Sequence, residues 1–177
     1  LVVAVSGTLF ALSEEKTGRI GFYYLVYLVS TLALITGASD NAYLSLAGLF
    51  GALPFAAFRS RKGRARYFLL LSTLILAICY IAGVSVSMAG KVLPLYGLFR
   101  VLGGIRQLPY LGAVLGLVSL VLLYRERNKE ITESAHAKRW IRGYTVVLCL
   151  SLLAFIAVFA YANSLPYETV KEKFGSL

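Results

Sequence analysis

Six apolar stretches divide the chain: residues 1–12, 20–36, 42–58, 67–89, 108–124 and 143–163. Short polar segments separate them. A helix needs about 20 residues, within a range of about 17–25, to cross a hydrocarbon core about 30 Å thick. The last five stretches reach that range. The first covers only about 18 Å at a rise of about 1.5 Å per residue, and is read as a short or truncated span. The pattern predicts an all-α fold: a polytopic integral membrane protein, built as one compact bundle of about six transmembrane helices.

The segment between the fourth and fifth stretches has a different pattern. It reads KVLPLYGLFRVLGGIRQLP over residues 91–109. Pro94 can open a helix at its first turn, and Pro109 cannot continue one. Gly97, Arg100, Gly104 and Gln107 fall on one face of the turns between them, with Leu95, Leu98, Phe99, Leu102 and Ile105 covering much of the rest. Residues 94–107 are therefore expected to form an amphipathic helix at the outer interface, or a re-entrant hairpin broken at Gly103–Gly104. The plain reading is a surface helix that closes the outer end of the bundle. The sharper one is a gate, in which Arg100 faces a water-filled vestibule and attracts an anionic group. An Arg at the bilayer centre costs about 2.5–3.5 kcal/mol on insertion scales, which excludes this segment as a full span.

Charge then orients the bundle. The chain of 177 residues carries 18 Lys and Arg against 8 Asp and Glu, a formal charge of +10. Connector 13–19 holds Lys16 and Arg19, connector 59–66 reads RSRKGRAR, and connector 125–142 holds six more cations. Together these three hold 13 of the 18. The positive-inside bias places all three on the inner side of the membrane and both termini outside, provided that 94–107 does not cross. Tyr67, Tyr110, Tyr124, Trp140 and Tyr144 fall near segment ends, where amphipathic rings prefer the headgroup level. Cations gathered at span ends argue against a nucleic-acid role. The connector 125–142 is expected to hold a short helix against anionic inner-leaflet lipids, each basic residue adding about 1 kcal/mol of attraction. Docking of a soluble partner is the alternative there.

Composition agrees with a lipid solvent: 59% hydrophobic and 15% charged residues, with a mean hydropathy of +0.77. Small residues four apart let helices approach closely. Gly112 with Gly116, Gly48 with Ala52, and Gly83 with Ser87 have that spacing. They are read as packing seams within the bundle, or as oligomer contacts. Pro54 is read as bending or ending the third helix.

Chemistry-bearing residues are few. Cys79 and Cys149 lie within apolar stretches and are read as small hydrophobes. His136 is the single histidine, which makes neither a zinc nor a haem site. No catalytic, cofactor or metal residues are assigned. No Asp, Glu, Lys or Arg lies in the middle of the five longer stretches, and ion-coupled transporters usually keep such a residue there. The chain opens on Leu with no basic stretch before its first apolar run, so an intact signal peptide is not expected. A bacterial or archaeal cell membrane is the expected location. Three roles follow. The first is transport-related: a small permease, a channel or a transporter's membrane component. The second is a non-catalytic accessory subunit of a larger membrane complex, with other membrane subunits or further copies of the chain as partners. The third is a lipid-modifying membrane enzyme, which would need a polar cluster that the sequence does not display.

Overall fold

The computed structural model describes residues 2–14, 17–37, 42–87, 101–128 and 135–164. These residues are all-α. The helices are α1 (Val2–Ser13), α2 (Thr17–Thr36), α3 (Ala42–Ala57), α4 (Arg61–Ser87), α5 (Leu108–Glu126) and α6 (Ala137–Ser164). Residues 101–103 are also helical, and tight turns then lead into α5: Gly104 N–H donates to the Val101 carbonyl and Ile105 N–H to that of Leu102.

Four helical segments are long and apolar enough to cross a bilayer: Gly18–Thr36, Arg61–Ser85, Leu108–Glu126 and Ala137–Ala157. The chain is therefore a multi-pass membrane protein in contact with lipid. The other two apolar helices are shorter. α1 has 12 residues and α3 has 16, about 18 Å and 24 Å of rise. The third stretch loses a residue because the chain turns at Phe58 and Arg59.

The basic connectors are shorter than the charge pattern implied. α4 begins at Arg61, so most of the run RSRKGRAR, from Arg61 to Arg66, lies within its first turns. The Ser60 hydroxyl accepts the Gly63 N–H at 2.8 Å, a side-chain cap that starts the helix there. Long cationic side chains can reach the headgroup level from such turns. Likewise α6 takes up the end of connector 125–142, and residues 129–134 lie outside the described residues.

The buried core runs along α4, where Leu70, Leu74, Ile78 and Ile81 meet Tyr27 and Ile35 of α2 and Leu46, Phe50 and Leu53 of α3. The most extensive pairing is α4 with α5, followed by α1 with α2. Lipid tails are as apolar as these side chains, so packing and interhelical hydrogen bonds hold the helices together. Hydroxyls supply those bonds. Tyr24 and Tyr27 of α2 donate to the carbonyls of Arg66 and Leu70 on α4, at 3.2 and 2.8 Å. Tyr67 of α4 donates to Phe50 on α3 at 3.0 Å, and Ser72 of α4 to Gly112 on α5 at 2.7 Å. Thr8, Ser30, Thr36 and Thr73 instead bond back to carbonyls of their own helices, the usual way to satisfy a hydroxyl within a helix.

α6 is the exception. It meets the bundle through its opening turns, where the Tyr144 hydroxyl donates to the Gly51 carbonyl at 2.7 Å. Beyond that point Val146, Val147, Leu150, Leu153, Phe155 and Ile156 are all more than half exposed.

Candidate functional site

The described parts of the three basic connectors meet at one end of the bundle. Arg66, 5% exposed as a residue, donates from its Nη1 to the carbonyls of Leu12 at 2.9 Å and Glu14 at 2.6 Å. This seats the cation on the negative end of the α1 macrodipole and satisfies carbonyls that a helix end leaves open. Arg61 of α4 pairs with Glu126 of α5 at 3.8 Å, and Lys62 donates to the Arg127 carbonyl at 3.3 Å. Arg64 of α4 lies over the Trp140 ring of α6, 5.0 Å from its centroid.

An aromatic cluster sits just beneath. Phe58, at the α3–α4 turn, is 5% exposed and has the rings of Tyr67, Phe68, Trp140 and Tyr144 within 5.5–6.2 Å. Edge-on geometry dominates these pairs, the arrangement that ring quadrupoles favour. The turn that presents Phe58 depends on Gly63. A Cβ there would press against the Ala57 carbonyl oxygen and come within 2.8 Å of the Ser60 hydroxyl.

Beside this cluster lies a partly open groove of about 790 Å³. One wall is Phe58, Tyr67, Phe68 and Leu71. The other is His136, in the turn before α6, with Arg139, Trp140, Gly143, Tyr144 and Val147 of α6. No carboxylate is among the described residues that line it. The groove is thus aromatic and aliphatic along its length and cationic at one end. Its size falls within the range of about 300–1,000 Å³ usual for small-molecule sites. The arrangement can hold an elongated apolar group with a polar or anionic head. Among the described residues there is no group of three His, Cys, Asp or Glu that could bind a metal.

The residues singled out in the sequence are scattered. Gly97 and Arg100 lie outside the described residues, and Gly104 and Gln107 are exposed in the turns before α5. Gly112 and Gly116 are buried against α4. A Cβ at Gly112 would come within 2.9 Å of Ile75, and one at Gly116 within 2.7 Å of the Ser72 hydroxyl. Gly48 and Ala52 are exposed, and a Cβ at Gly48 or Gly83 would meet nothing within 4 Å. Cys79 and Cys149 are free thiols. The groove itself has no signature in the sequence, because its walls come from residues some 70 positions apart; the aromatic content around residues 58, 67, 68, 140 and 144 is its only trace.

Comparison with protein-family models, with curated proteins and with solved structures finds no match to this chain.

Proposed function

We propose that this protein is a non-catalytic, membrane-embedded component of a larger assembly in a cell membrane. All six apolar helices belong to its membrane domain, with the basic end inside and both termini outside. The topology is supported by the gathering of the three basic connectors at one end, the side that the positive-inside bias favours.

One observation carries the assembly role: α6 stands largely apart. α1 to α5 pack on one another, while the most apolar 18-residue window of α6 has no buried residue. Close packing drives association of helices in lipid, and among the described residues α6 packs on the bundle mainly through its opening turns. Gentle native extraction followed by mass determination tests the proposal. Co-migration with other subunits supports it, and a photo-crosslinker on Cys149, exposed on α6, should capture one of them. A chain that extracts alone and gives no adduct overturns it.

The transport-related reading comes second, favoured by the groove at the basic end. Solute flux through liposomes containing the chain alone would move it ahead of the assembly role.

A further inference from the structure

We infer that the groove between α4 and α6 binds one anionic phospholipid from the leaflet at the basic end. This is a discrete site, distinct from the diffuse attraction that any basic surface has for acidic lipid. It is independent of the proposed assembly role.

Shape and charge both point to this occupant. Arg139 and Val147 lie eight positions apart on α6, about 12 Å along the axis. That is most of one leaflet's half of a hydrocarbon core about 30 Å thick. Over that length the walls change from cationic to apolar. Arg139 lies at one end, and Phe68, Leu71 and Val147 line the apolar part. Arg64 adds a further cationic side chain above Trp140. With Arg139 at this end and no carboxylate among the described residues that line it, the head end is complementary to a phosphodiester. A free inorganic anion would leave the apolar length unfilled. Gly143 keeps the groove open: a Cβ there meets nothing within 4 Å, so a larger side chain would project into the space without displacing a neighbour.

Trp140 lines the groove and is the only tryptophan in the chain, so its fluorescence reports on whatever lies beside it. The experiment uses the full chain in nanodiscs of one part phosphatidylglycerol to three parts phosphatidylcholine, with brominated acyl chains on one lipid or the other. Brominated phosphatidylglycerol should quench Trp140 more strongly at equal mole fraction. Arg139→Gln should reduce that preference about fivefold, the effect of about one basic residue near an anionic lipid. Gly143→Leu should lower quenching by the anionic lipid while leaving the melting temperature unchanged or raised. Equal quenching by both lipids overturns the inference, as does a preference that survives both substitutions. Loss of the preference in millimolar inorganic phosphate at constant ionic strength would overturn it in favour of a free anion. Loss of quenching by both lipids as the protein-to-lipid ratio rises would overturn it in favour of a second copy of the chain in the groove.

Discussion

The Tyr67 hydroxyl donates to the Phe50 carbonyl at 3.0 Å, and Phe50 is the residue whose carbonyl Pro54 cannot serve. In an α-helix that carbonyl accepts the N–H four residues on, and proline has none. Pro54 lies inside α3, fully buried. An unsatisfied carbonyl at this depth would be costly, with no water to replace the lost donor. α4 supplies the missing donor, and the bond also fixes α3 against α4. Tyr67→Phe should lower stability by about 1 kcal/mol. In a Pro54→Ala background, where the alanine N–H restores the helical bond, the same change should cost less than half as much. Thermal unfolding of the four proteins in one detergent measures the coupling. Additive losses would show that the two residues act separately.

The α4–α5 seam depends on two missing side chains. Gly116→Val places methyl groups where the Ser72 hydroxyl lies, and Gly112→Val drives into Ile75 and Leu76. Overpacking of this kind costs about 1–3 kcal/mol. Each should lower the melting temperature, and Gly48→Val, which meets open space, should not. Fluorescence-detected size exclusion after heating separates the three.

Arg66 holds the end of α1 through the Leu12 and Glu14 carbonyls. Arg66→Ala should cost about 1.5–3 kcal/mol, as charge-assisted hydrogen bonds do. Amide exchange at the close of α1 should rise more than exchange in α5. Arg66→Lys should recover part of the loss, because an ammonium keeps the charge but is more strongly hydrated and does not reproduce the planar geometry by which Nη1 donates to both carbonyls.

The turn between α3 and α4 should be sensitive at Ser60 and Gly63. Ser60→Ala removes the cap from the Gly63 N–H at a cost of about 1 kcal/mol. Gly63→Ala should cost more, since its Cβ meets the rigid Ala57 carbonyl. Both should disturb the ring contacts of Phe58, read as a shift in Trp140 emission.

Orientation can be read from the two ends of α6. In a Cys79→Ser, Cys149→Ser background, Ala135→Cys should react with an impermeant maleimide only after right-side-out vesicles are lysed. Ser164→Cys should react in intact vesicles. The reverse result would invert the topology.

The solvent of this protein, its helical class and the ends where its charge gathers are all determined by the sequence alone. Each follows from local quantities: the length of an apolar run and the cations that border it. Local pattern also marks where a close approach is allowed. It does not say which approach occurs: Gly112 and Gly116 meet α4, while Gly48, with the same spacing to Ala52, meets nothing. Only the tertiary structure decides that Pro54 and Tyr67 complete each other, that Arg66 closes α1, and that α6 leaves a groove beside Trp140. The physical reason is that in a bilayer every apolar face is equally content with lipid or with another helix. Hydropathy therefore cannot choose partners. The choice rests on a few hydroxyls, one guanidinium and two missing side chains, each acting on a backbone far away in the chain.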